Sequence, residues 1–203
     1  MLRYVYRLVV CLALLTACAG ASAANFSFTG TFNQDDDVQL FRFAVGGPSF
    51  TTVTLQTLSY DGGVNAAGAI IPAGGFDPVI SLFDAAGTLL DENDDGIGPD
   101  PFLQIALAAG NYVAALTETP NFAVGPNLSD GFQLAGTGNF TAPGGFVDVF
   151  GNQRDGHWAL DILNVASAAV GIAAVPAPGT LWLMGAALLG FAAVTRPRAA
   201  RIH

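Results

Sequence analysis

Lysine is absent from this chain, and cysteine occurs only twice, as Cys11 and Cys18 in one apolar stretch near the N-terminus. Arginine is scarce and displaced to the ends, with Arg3, Arg7, Arg196, Arg198 and Arg201 flanking an interior that holds only Arg42 and Arg154. Without an interior cluster of cations a nucleic-acid surface is excluded, because phosphate affinity comes from counterion release by clustered Lys and Arg. From Ala24 onward there is no thiol, which removes disulfides, Cys–zinc sites and Cys nucleophiles together. Gly-x-Ser-x-Gly elbows, His-Glu-x-x-His helices and phosphate-binding glycine loops are missing as well. His157 is the single interior histidine, beside Gly156 and Trp158 at an expected strand start, which suits a structural turn better than a general base.

What is present divides into three compositions. All sixteen carboxylates fall between Asp35 and Asp161, so the middle of the 203-residue chain carries a net −14 although the whole carries −9. The 52% hydrophobic content suggests a membrane protein only when the two ends are averaged with the middle. Met1–Ala23 reads as a secretory signal peptide: Arg3 and Arg7 are its positive region, Leu8–Leu15 its apolar region, and Ala21-Ser22-Ala23 its small-x-small cleavage site for signal peptidase. Leu15-Thr16-Ala17-Cys18 has the form of a bacterial lipobox, which would instead make a lipidated Cys18 the first mature residue. The downstream Ala-x-Ala and a second anchor at the other end favour cleavage after Ala23.

At the C-terminus, Val175-Pro176-Ala177-Pro178-Gly179-Thr180 leads into an uncharged apolar run over residues 181–195, closed by Arg196, Arg198 and Arg201. A helix from Thr180 to Thr195 would span about 24 Å, short of a hydrocarbon core of about 30 Å, a deficit that local thinning absorbs. The arginines act as a cytoplasmic stop and place the acidic middle outside. This tripartite tail resembles the PEP-CTERM sorting signal, carried here by Val175, Pro176, Pro178, Thr180 and Leu181, with Ala177 standing where the family usually has Glu. The resemblance implies exosortase as the processing partner, transient anchoring in the inner membrane, and delivery to the envelope or exterior. Because exosortase systems accompany exopolysaccharide production, it also implies a setting in biofilm matrix.

The middle, residues 24–165, is of single-domain length and large enough to bury a core without disulfides. Gly, Pro, Asn and Asp punctuate it at short intervals, and the runs between them alternate with period two. Expected strands are residues 25–29, 39–45, 51–58, 79–83, 102–107, 111–117 and 158–162. Phe41, Phe43 and Val45 share one face, as do Leu103, Ile105 and Leu107, and Tyr112, Ala114 and Leu116. The fold class is therefore all-β: an antiparallel β-sandwich of jelly-roll type, flanked by a signal helix and a C-terminal transmembrane sorting helix. Residues 166–174 read as a linker, and 175–203 as the sorting signal. Asp35-Asp36-Asp37-Val38, Gly74–Asp84, Asn93-Asp94-Asp95-Gly96 and Ala109-Gly110-Asn111-Tyr112 are similar to pre-peptidase C-terminal β-sandwich domains.

Asp91, Asn93 and Asp95, followed by Gly96, have the 1-3-5 spacing that opens a calcium loop. Phe102 stands where such a loop has its bidentate Glu, and Asp100 is the nearby substitute. The alternative is a polar turn whose carboxylates bind backbone amides. Asp35-Asp36-Asp37 is a second acidic cluster open to the same two readings. A carboxylate pair for glycoside hydrolysis is compatible with so many acids but is not specified by any motif. Trp158 and the phenylalanines read as core, with an aromatic platform for sugars as the alternative. The expectation is a non-enzymatic exported surface or matrix protein, against which stand a Ca²⁺-dependent carbohydrate-binding module and a secreted hydrolase.

Overall fold

The computed structural model describes residues 22–171. The expected signal helix, Ala21, the sorting motif 175–180, the membrane helix 181–195 and the three C-terminal arginines lie outside the described residues. No helix among the described residues is long and apolar enough to cross a membrane.

Eleven strands form between Ala24 and Gly171: β1 (Ala24–Thr31), β2 (Gln39–Val45), β3 (Thr51–Thr57), β4 (Gly63–Val64), β5 (Ile70–Ile71), β6 (Pro78–Asp84), β7 (Leu89–Asn93), β8 (Phe102–Leu107), β9 (Gly110–Glu118), β10 (His157–Val165) and β11 (Ser167–Gly171). One sheet has the order β1-β10-β3-β8, the other β11-β2-β9-β6-β7, and β4-β5 is a small separate hairpin. All the ladders are antiparallel. Without the β4-β5 hairpin and β11, the remaining eight strands are distributed as in a jelly roll, the chain crossing to the other sheet after each strand except at the β6-β7 hairpin, which stays in one sheet.

The inner faces are set by period-two patterns. Phe41, Phe43 and Val45 of β2, Val53 and Leu55 of β3, and Trp158, Leu160 and Ile162 of β10 meet in one core. Full burial of each large side chain contributes roughly 1.5–3 kcal/mol before entropy is counted. β6 is buried along nearly its whole length because both faces are covered, which accounts for its continuous apolar run. On the outer face of the five-stranded sheet Leu40, Phe83, Val113 and Ala115 form a second cluster, roofed by Ala123, Leu128 and Phe132 from the long connection after β9.

Two elements depart from the sequence expectation. Ser167–Gly171, expected as linker, pairs with β2 from Ser167↔Ala44 to Gly171↔Leu40. Its Ser-Ala-Ala-Val-Gly composition has no apolar alternation, and the edge of β2 recruits it through backbone bonds. Leu89–Asn93, expected in part as the start of an ion-binding loop, is the edge strand β7 on β6.

Aromatic rings run through one end of the sandwich. Phe32 stacks on Phe76 at 4.9 Å between centroids, Phe76 on Phe146 at 5.8 Å, and Phe41 meets Trp158 edge-on at 5.6 Å. Trp158, opposite Gly30 in the β1–β10 register, lays its indole over that residue. A β-carbon at position 30 would fall 2.2 Å from the ring, so only glycine fits. Gly30→Ala is therefore expected to destabilise the domain by about 1–3 kcal/mol through overpacking, seen as a lower midpoint in denaturant unfolding; an unchanged midpoint would show that the indole can move aside.

Candidate functional site

The connections between strands are held by carboxylates. Asp35, fully buried, accepts bonds from Phe140 N (3.0 Å), Thr141 N (2.7 Å), Thr141 Oγ1 (2.6 Å) and Phe146 N (2.6 Å). Gly145, at φ +73°, lets that loop close on the carboxylate, since a β-carbon there would sit 2.7 Å from Asp35 Oδ1. Asp36 binds Gly136 N, and Asp37 binds the amides of Asn33 and Gln34. The three adjacent acids thus point into three different hydrogen-bond sets, so the polar-turn reading applies to them.

The residues with calcium-loop spacing are separated in the same way. Asp91 and Asn93 lie on β7, where Asp91 accepts from Glu92 N and Asn93 Oδ1 from Phe102 N. Asp100 accepts from Thr57 Oγ1 (2.6 Å) and from the amides of Ser59 (2.7 Å), Tyr60 (3.1 Å) and Asp61 (2.9 Å), closing the turn after β3. Asp95 is carried away to a cleft shared with Asp77. Among the described residues no group of three His, Cys, Asp or Glu side chains comes together to hold a metal ion.

Asp148 and Asp161 complete the pattern. Asp148 takes bonds from Tyr60 Oη, Asn152 Nδ2, Arg154 Nε and the amides of Phe150 and Asn152. Burial opposes its ionisation, but these donors outweigh it and hold the carboxyl well below the ordinary range. Arg154 also lies over the Tyr60 ring, 3.5 Å from its centroid. Asp161, on the outer face of β10, joins Ser27 of β1 and Gln56 of β3, and binds Ala66 N of the segment joining β4 and β5. His157 is likewise engaged: Nδ1 meets Asp155, and Nε2 lies 3.0 Å from the Pro72 carbonyl.

One pair breaks the rule. Glu118, at the end of β9, continues the inward-facing row Tyr112, Ala114, Leu116 and is 2% exposed. Asp77 sits just before β6, and its carbonyl accepts from Thr119 N, which joins the two strand ends. Glu118 Oε2, Asp77 Oδ1 and Thr119 Oγ1 are buried and have no hydrogen-bond partner in the protein. All three residues line a cavity of about 190 Å³ with Thr141, Val147 and Asp148. A cleft of about 430 Å³ adjoins it, sharing Asp77 and Thr119 and walled by Asp94, Asp95, Val149 and Phe150. Burial first, then the Asp35 carboxylate, pushes Glu118 up to about 9. Burial, with Asp95, Asp94, Asp100 and Asp148 around it, pushes Asp77 up to about 7. The sequence reading passed over both residues. The available signal was Glu118 itself, an acid at the inward position of an otherwise apolar alternation.

The described residues therefore define an acidic, all-antiparallel jelly-roll domain whose polar interior serves mainly to tie loops. Beyond it, residues 174–198 match the PEP-CTERM protein-sorting motif. The chain is an exported protein carrying the signal that exosortase processes, and its path crosses the membrane. No curated protein matches the chain.

The raised carboxyls set a pH dependence. Both bind protons more tightly folded than unfolded, so the stability they confer is present at low pH and lost as pH climbs through about 7 for Asp77 and about 9 for Glu118. Asp148 acts oppositely, losing its contribution only at strongly acid pH. In chelator-containing buffer the melting temperature should peak near about pH 5 and fall toward about pH 9. Glu118→Gln should flatten the upper part of that fall. A melting temperature that rises from pH 5 to pH 9 would contradict this.

Proposed function

We propose that this protein is a non-enzymatic surface or extracellular-matrix component, sorted by exosortase and associated with exopolysaccharide outside the cell. The observation that carries this reading is the sorting motif at residues 174–198 beside a jelly-roll domain. Two features support the non-enzymatic part. His157 has both ring nitrogens engaged. The Asp77–Glu118 pair shares only a cavity of about 190 Å³, below the roughly 300–1,000 Å³ common for organic ligands, and Glu118 does not line the larger adjoining cleft. Fractionation of cells with and without exosortase tests the proposal. Processed protein is expected in the envelope or medium of the first, and full-length protein in the inner membrane of the second. A Pro176→Ala, Pro178→Ala double variant should behave in normal cells like the exosortase-deficient strain. Identical distribution in all three would overturn the sorting role.

A carbohydrate-binding module is the second reading, favoured by Phe150. Its side chain is 77% exposed at the lip of the cleft walled by Asp94 and Asp95, where a ring could stack on a sugar face beside hydrogen-bond acceptors. If that reading holds, Phe150→Ala should weaken retention in an affinity gel containing the cells' own exopolysaccharide by about tenfold, the effect of about 1.4 kcal/mol. Equal retention of the variant would remove the reading.

A further inference from the structure

Most of the buried acids in this domain are saturated by amide, hydroxyl or arginine donors, as Asp35, Asp148 and Asp161 show. Glu118 and Asp77 are not, although Glu118 is almost wholly buried and aimed into a cavity with the Thr119 hydroxyl. Two neighbouring carboxyls with unpartnered oxygens can be ionised together in this buried place only beside a positive partner. The chain has no lysine, and Arg42 is exposed on β2 while Arg154 is held by Asp148 and Tyr60. Among the described residues no basic side chain is placed to neutralise the pair.

We propose that Asp77, Glu118 and Thr119 Oγ1 form a calcium-binding site, reached through the adjoining cleft past Asp94 and Asp95. The donors are all oxygen, which selects a hard cation over zinc or copper. A cavity of about 190 Å³ leaves room for the waters that must complete six to eight ligands. Two carboxylates and a hydroxyl of irregular arrangement suit calcium's flexible shell better than magnesium's strict octahedron. With only two charged ligands the affinity should fall in the range of extracellular modules, about 10⁻⁴ to 10⁻³ M. The site is distinct from the 1-3-5 spacing over Asp91, Asn93 and Asp95: only Asp95 approaches it, at the cleft and not at the cavity.

The test is calorimetric titration of Ca²⁺ into the purified, chelator-stripped full chain, paired with thermal unfolding. One site saturating at millimolar Ca²⁺ is expected, with a higher melting temperature. Asp77→Asn and Glu118→Gln should each weaken binding by at least about tenfold, whereas Asp91→Asn leaves it unchanged. Each variant's own melting curve reports that it is folded. Absence of both heat and thermal shift at about 10 mM Ca²⁺, or full binding retained in both cavity variants, would overturn the site. Loss of binding in Asp91→Asn alone would assign it to the β7 loop instead, and equal stabilisation by Mg²⁺ would overturn the choice of calcium.

Discussion

Hydrogen bonds from backbone amides to buried carboxylates are the interaction on which this domain depends. A jelly roll sends its chain back and forth between two sheets, and the connections leave amides outside any ladder. Each such amide needs an acceptor if it is to be covered. With neither disulfides nor lysine salt bridges at hand, the domain uses aspartate, whose charge makes each bond stronger than a neutral one. Asp35 shows the arrangement most fully. It gathers Phe140, Thr141 and Phe146, and Phe146 then stacks on Phe76 at the end of the aromatic row. A polar anchor and an apolar column thereby fix the same loop from opposite sides.

The surplus of negative charge follows from that use. Most of the interior carboxylates are committed to local donors, so the net −14 of the middle is largely the by-product of tying loops without cations. Against this background the Asp77–Glu118 pair is conspicuous, since it has the burial of an anchor without donors. Its position also matters. It joins the ends of β6 and β9, the two strands at the heart of the five-stranded sheet, so an ion bound there would brace the sheet where it opens into the long connection to β10.

Strands with clean alternation were legible in advance. Gln39–Val45 and Phe102–Leu107 appear with the expected limits, because a half-buried strand writes its two faces into the sequence. Leu89–Asn93 and Ser167–Gly171 were not legible: one is polar, the other small, and both are edge strands recruited through backbone bonds that leave no side-chain pattern. The acids are regrouped in a related way. Linear spacing grouped Asp91, Asn93, Asp95 and Asp100, whereas the β6–β7 ladder and the turn after β3 draw them apart.

By itself the sequence determined the all-β class, the inward faces of its central strands, the acidic, thiol-free character of its middle and the sorting motif at its end. These are local matters of period, composition and short contiguous motifs, and they need no knowledge of what lies across the fold. Only the tertiary structure decided which carboxylates bind amides and which pair is left without donors. That depends on residues 41 positions apart in the case of Asp77 and Glu118, and 111 apart for Asp35 and Phe146. A carboxylate's role is set by the donors within about 3 Å of it, and in a jelly roll those donors arrive from strands and loops that the chain reaches only after crossing the sandwich.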